Sequence, residues 1–362
     1  MPTRDWPDSR ETGRVRATGP CAPGPRTQKL MSDRSDPFPR IVLASTDPDL
    51  PADLPVGAAK YRDFQPIARG AKAELRACWD TLTGRRVAMK TLLPDCADDP
   101  DERRRFLREA RVTAQLQHPN TVPVYEIGRH EDGWLFFTMK CIAGEDLFKV
   151  LQRLSWSDNV TVEQFPTGRL VDIAVQACQA CAYAHAHGVV HRDLKPENIW
   201  VGEFGEVIVL DWGVSKVWGA TDPVVDGLGT PVLDTELDQE LSPLTRVGQR
   251  PGTPLYMSPE QVLGKHSIDE RSDVFSMGVV LYEMLALREP FRGRTVRQTF
   301  ENILHDDPQP LRESAPDRGI PESLESIVLK AIAKDPSERH QSMVELIDGL
   351  ESVRRDLSTD ER

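Results

Sequence analysis

HRDLKPEN, residues 191–198, is the stretch on which the reading of this chain turns. It sets Asp193, Lys195 and Asn198 in a loop between a helical run at 168–187 and a strand-turn-strand stretch at 199–210. A carboxylate accepts a proton, an ammonium meets developing negative charge, and an amide oxygen suits a hard divalent cation. Phosphoryl transfer to a hydroxyl needs those three services. An eight-residue string that supplies all of them is not a chance event. Just downstream, DWG at 211–213 closes an apolar strand at 207–210. Asp211 there suits a metal carboxylate on a turn, although an Asp-x-Gly by itself is also an ordinary turn signal.

Working towards the N-terminus, VAMK at 87–90 lies in a strand, where alternation puts Val87 and Met89 on one face and Ala88 and Lys90 on the other. If the second face looks into a cleft, Ala88 leaves room for a flat base and Lys90 reaches phosphate oxygens. Alone, a strand-borne lysine is more often a solvated face. A helix predicted over 100–117 carries Glu109 at the edge of its apolar stripe, beside Phe106 and Ala110. That carboxylate is placed either to hold Lys90 or to pair on the surface with Arg105 or Arg108.

The coarse pattern is a small strand-rich part followed by a larger helical one. Strands are expected at 64–67, 75–79, 86–92, 122–129 and 134–139, and helices at 168–187, 272–287, 295–304, 321–333 and 342–354. The junction of two such parts is a favoured place for a ligand cleft. Residues 1–60, rich in Pro, Arg, Asp, Ser and Thr, read as a disordered leader in which Met31 is a second candidate start. The segment 218–244 has neither period and reads as a long mobile loop.

In order and rough spacing, VAMK, Glu109, HRDLKPEN, DWG, GTPLYMSPE at 252–260, SDVFSMG at 272–278 and Arg339 resemble the eukaryotic-type protein kinases. NIWVGEFGEVIVLDWG resembles their bacterial Ser/Thr branch, and the likeness runs from about Tyr61 to Ser352. It implies an α+β bilobal kinase-like fold over residues 61–355, with an N-lobe at about 61–138, a hinge at about 139–143, a C-lobe at about 144–355 and a tail at 356–362. It also implies ATP with Mg²⁺, or alternatively Mn²⁺, and protein Ser/Thr substrates. By the same resemblance Asp193 is the base and Lys195 its cationic neighbour, while Asn198 and Asp211 hold metal. Ile67, Gly70, Leu75, Ala88, Lys90, Glu109, Met139, Lys140, Cys141 and Trp200 surround the nucleotide, with Lys90 on the α- and β-phosphates and paired with Glu109, and Met139 as gatekeeper. Glu260 pairs with Arg339 to anchor the peptide-receiving loop that contains Thr253, and Asp273 bonds the backbone of the catalytic loop. Arg192 implies control by activation-loop phosphorylation, for which Thr245 and Ser242 are the favoured acceptors among Thr221, Thr230, Thr235 and Thr253, with a homodimer acting in trans. Asp146 and Glu197 hint at basic residues before the acceptor.

The sequence departs from the family at three places. The glycine-rich loop asks for G-x-G-x-x-G and has Ala68, Gly70 and Ala73. Each methyl limits backbone approach to phosphates. Trp200 stands where the family usually has Leu or Met beneath the adenine, and Trp212 stands for the commoner Phe. Trp212 is a conservative change, since both rings fill an apolar slot, whereas Ala68, Ala73 and Trp200 are what a scaffolding pseudokinase reading draws on. A small-molecule kinase is opposed by GTPLYMSPE and Arg339.

Bulk properties agree with this picture. The formal charge of −12 over 362 residues gives no basic field for nucleic acid or an anionic membrane. Six cysteines in a chain this long do not form a secreted disulfide framework, and Cys178-x-x-Cys181 sits in an apolar helical run as packing. No apolar run of about 18 residues occurs, so a cytoplasmic protein without membrane insertion is expected.

Overall fold

The computed structural model describes residues 57–213, 215–217, 254–265 and 268–360. The predicted loop at 218–244 and all six candidate phosphoacceptors, Thr245, Ser242 and Thr253 among them, lie outside the described residues. Gly57–Lys60, assigned above to the leader, form a short 3-10 turn whose Lys60 pairs with Glu126 at 2.5 Å.

The N-terminal half is built on β1 (Tyr61–Arg69), β2 (Ala73–Asp80), β3 (Arg85–Leu92), β4 (Val124–Arg129) and β5 (Leu135–Lys140). They form one antiparallel sheet in the order β1-β2-β3-β5-β4. Between β3 and β4 come a single turn, α1 (Pro94–Ala97), and α2 (Pro100–Gln115). Asp99 starts α2: its carboxylate accepts from the N–H of Asp101 at 2.8 Å, with Pro100 in the first helical position. Phe106 and Ala110 turn inward, and Phe106 meets Phe137 of β5 with ring centroids 5.2 Å apart. Tyr61, Cys78, Val87, Met89 and Phe136 form a second core on the opposite side of the sheet. The alternation expected within VAMK is therefore what separates the two sides.

The chain then runs through β6 (Glu145–Asp146), α3 (Leu147–Ser155), α4 (Asn159–Gln164), α5 (Thr167–Ala186), β7 (Val189–Val190), β8 (Ile199–Val201), β9 (Val207–Val209) and β10 (Lys216–Val217). Helices α6 (Pro259–Val262), α7 (Glu270–Ala286), α8 (Val296–His305), α9 (Leu311–Ser314), α10 (Glu322–Ala331) and α11 (Met343–Asp360) complete it. In α7 every residue from Ser272 to Ala286 is buried, so this helix is the axle of the C-terminal core and needs no polar face. Cys178 and Cys181 are wholly buried in the same core. Burial pushes the Cys178 thiol up to about 12, which keeps it an apolar filler.

Two differences from the sequence-based expectation have local causes. Helix α3 was not singled out, yet Asp146 caps it and Leu147, Val150, Leu151 and Leu154 recur at helical spacing on its buried face. Helix α2 stops at Gln115, two residues short of its predicted end, because Leu116 is extended. The segment before β4 belongs physically to the C-terminal half. Asn120 accepts from the N–H of Val209 at 2.9 Å and its amide donates to the carbonyl of Val207 at 2.8 Å. That tie, with the bridge between Thr121 and Val209, joins the segment to β9.

Candidate active site

In β2, β3 and β5 the register aligns Ala77, Ala88 and Met139 in one row and Leu75, Lys90 and Phe137 in the next. Cross-strand partners share a face, so both rows lie on the side covered by α2. Lys90 reaches Glu109 of α2 at 2.5 Å, which decides against surface pairing of Glu109 with Arg105 or Arg108. Asp211 is the third member of the cluster. Burial works against its charge, but Lys90, His191 and Lys195 outweigh that and hold its carboxyl below the usual range. Burial likewise opposes the Lys90 ammonium, and Glu109 with Asp211 raises it above the ordinary lysine value. All of this favours a charged lysine facing an ionised Asp211.

The catalytic loop is tied down from several directions. Asp193 accepts from Lys195 Nζ at 2.6 Å, and Asn198 Nδ2 donates to the Asp193 carbonyl at 2.8 Å. With its amide nitrogen so committed, Asn198 keeps Oδ1 as the atom suited to a cation. His191 accepts from the N–H of Asp193 through Nδ1 at 3.2 Å. Its Nε2 lies 3.0 Å from the Leu210 carbonyl and therefore carries the proton. The same ring stands 4.5 Å from the indole of Trp212, joining the loop to the turn that bears Asp211.

Arg192 and Asp211 have φ values of 70° and 61°, a conformation costing roughly 1–2 kcal/mol for a residue with a Cβ. Asp273 holds the first of these in place. Its carboxylate accepts from the N–H of His191 at 2.7 Å and of Arg192 at 2.8 Å, as expected for the head of α7. His185 adds a contact of 2.8 Å to the same carboxylate, a partner the sequence reading missed. The signal for it was available: a histidine on the inward face of α5, among alanines and cysteines, has to meet a polar partner.

Around the expected base site, Ala88 is buried, Met139 and Cys141 are half-buried, and Lys140 is exposed. Leu75 is half-buried, Ile67 is exposed near the end of β1, and Gly70 lies in the β1–β2 turn, where its N–H donates to the Ala73 carbonyl at 2.9 Å. Trp200 is pinned at this level, because its indole N–H donates to the Ala143 carbonyl at 3.2 Å, at the end of the expected hinge. Trp212 does fill an apolar slot and is wholly buried, but its Nε1 finds no hydrogen-bond partner among the described residues. The indole is thus a less neutral replacement for phenyl than its size suggests. Asp146 is engaged as the α3 cap and with Lys149 at 2.7 Å.

Below the site, Arg339 and Glu260 meet as two parallel hydrogen bonds of 2.8 and 2.9 Å. Ser272 donates to the same carboxylate at 2.5 Å. Burial pushes Glu260 up, but Arg339 and Ser272 bring its carboxyl below the ordinary value of 4.5. Asp273 is also lowered: burial opposes its charge, and His185 with the backbone N–H groups prevails. A carboxylate whose folded value is depressed stabilises the fold fully above its unfolded value and loses that contribution as pH falls through the folded one. The contribution of Glu260 and Asp273 to the unfolding free energy measured in urea is therefore expected to be constant above about pH 5 and to be lost below it. In Glu260→Gln the slope below pH 4.5 becomes shallower; an unchanged slope removes Glu260 as a contributor.

A family model of the protein kinase domain matches residues 61–348. The chain belongs to the protein kinase family, in its bacterial branch of eukaryotic-type Ser/Thr kinases. It is 36% identical over 300 residues to the Ser/Thr-protein kinase PknD of Chlamydia pneumoniae, covering 81% of this chain and 31% of that protein. It is 33% identical over 306 residues to PknD of Protochlamydia amoebophila, covering 83% of this chain and 30% of that protein. The chain thus spans about a third of the length of these curated relatives. Among the described residues no helix is long and apolar enough to cross a membrane.

Proposed function

We propose that this chain is an active kinase that transfers the γ-phosphate of ATP to Ser or Thr hydroxyls of proteins. The observation that carries it is the convergence of Lys90, Glu109 and Asp211 with Asp193, Lys195 and Asn198 about one cleft. A pseudokinase reading gains nothing here, because each of these groups is present and engaged.

In the reaction Asp193 accepts the proton of the attacking hydroxyl, and Lys195, already beside it, meets the charge that develops on the transferred phosphoryl group. Lys90, oriented by Glu109, holds the α- and β-phosphates. The donor set fits Mg²⁺, or Mn²⁺ in its place: an ionised Asp211 and an Asn198 whose Oδ1 is left for a hard cation. The metal supplies neutralisation of phosphate charge when bound. Ala88, Met139, Lys140, Cys141, Ile67, Leu75 and Trp200 enclose the base, with Gly70 in the loop over the phosphates. Lys195 and Thr253 favour Ser/Thr acceptors, and Glu260 with Arg339 supports the segment that receives the peptide.

We assign the catalytic unit to about 61–355 and place its work in signalling in the cytoplasm, consistent with five free cysteines among the described residues. Regulation runs through phosphate on Thr245, or on Ser242 beside it, paired with Arg192 and added in trans by a second copy. The test is autophosphorylation of the purified chain with ATP and Mg²⁺, mapped by mass spectrometry, with Asp193→Asn in parallel. Phosphate on the wild type alone supports the reading, and turnover in both removes Asp193 from it.

The degraded phosphate loop gives a separate prediction. Ala68→Gly with Ala73→Gly lets the backbone approach the phosphates more closely and is expected to lower KM for ATP by a few-fold. A raised KM means that the methyl groups pack usefully.

A further inference from the structure

Lys90–Glu109 has a counterpart further towards the N-terminus of α2. Lys72, in the turn between β1 and β2, donates from Nζ to Glu102 of the same helix at 2.7 Å. Glu102 and Glu109 are seven residues apart, so they lie on one face of α2 and about 10 Å apart along it. The lysines match this spacing. The Lys72 carbonyl accepts from the N–H of Leu93 at 2.8 Å, and Leu93 is three extended residues, about 10 Å, beyond Lys90. The inner rung reaches the metal carboxylate Asp211, and the outer rung starts from the loop expected over the phosphates.

We propose that Lys72 and Glu102 are positioning residues for phosphoryl transfer. Their ion pair fastens the phosphate loop to α2, so that lowering the loop and seating Glu109 against Lys90 are one movement. The inference rests on the kinase reading of the cleft. The Glu102 carboxylate is only 15% exposed and also accepts from Arg105 at 3.1 Å, which fixes it on the helix as an anchor point. Lys72 is 55% exposed, so the tie is modest in strength and open to screening by salt. It sits in a loop where Ala68 and Ala73 have removed two of the usual glycines, and a less pliant loop transmits the pull of one rung to the next.

The test compares wild type, Lys72→Met, Glu102→Gln, the double variant and Lys72→Arg in two readouts. One is affinity for a fluorescent methylanthraniloyl ATP analogue with Mg²⁺, which needs no turnover. The other is KM for ATP and kcat with dephosphorylated casein as acceptor. Each single charge-removing variant is expected to weaken nucleotide binding and lower kcat/KM by about two- to five-fold. The double variant should be no worse than either, since each change removes the same tie. Lys72→Arg should restore both readouts, and the melting temperature should stay within about 2 °C throughout. Opposite effects, with Lys72→Met weakening and Glu102→Gln tightening the nucleotide, overturn the proposal and make Lys72 a direct phosphate ligand that Glu102 restrains. No change in nucleotide affinity overturns it as well. A wild type that binds nucleotide but does not transfer phosphate counts against the kinase reading, while the binding series still decides the tie.

Discussion

Asp193→Asn is expected to bind ATP with Mg²⁺ as the wild type does and to transfer phosphate roughly a hundred- to ten-thousand-fold more slowly. The substitution keeps the shape of the side chain and removes its ability to take a proton. The loop around it does not depend on that charge. The backbone of the preceding turn is held by Asp273, the Asp193 N–H by His191, and the Asp193 carbonyl by Asn198. Thermal stabilisation by ATP with Mg²⁺ checks binding, and a radiolabel transfer assay checks turnover. Equal turnover in the variant would remove Asp193 from the chemistry.

The second large effect is structural. Arg339→Ala breaks a fully buried bidentate pair and strands the Glu260 carboxylate in the C-terminal core. It also frees the carbonyls of Ala333, Lys334 and Arg271, to which the guanidinium donates at 2.7, 3.0 and 2.9 Å. Stranding one partner of a buried pair costs about 3–5 kcal/mol. For a domain of this size that lowers the melting temperature by on the order of 10 °C. Arg339→Lys does not rescue it, because an ammonium cannot make the two parallel bonds. Calorimetry reads the shift, and a change under 2 °C would mean that the core closes over the gap.

Much of the fold was legible because its signals are local. Alternation within VAMK, the apolar stripe of α2 at Phe106 and Ala110, and the apolar run of α7 each act within a few residues, and the structure follows them. The site was legible for a different reason: HRDLKPEN and DWG pack several chemical roles into short strings. What stayed hidden depends on partners far apart in sequence. His185 looks like any core histidine until α7 brings Asp273 to it across 88 residues. On the residues of its own helix Glu109 is as well served by Arg105 or Arg108; its pairing with Lys90 was implied only by the family resemblance, and the fold presents it.

By itself, then, the sequence determined which faces are apolar and which residues are the candidates for the chemistry, since these follow from residue type and period. Tertiary structure alone decided the contacts that neither residue type nor resemblance implied. Lys72 took Glu102, His185 took Asp273, and the indole N–H of Trp212 was left without a partner among the described residues. The physical reason is distance. An ion pair or a buried hydrogen bond is set within about 3 Å, and that separation is fixed by strand register and helix docking, which no short stretch of sequence encodes.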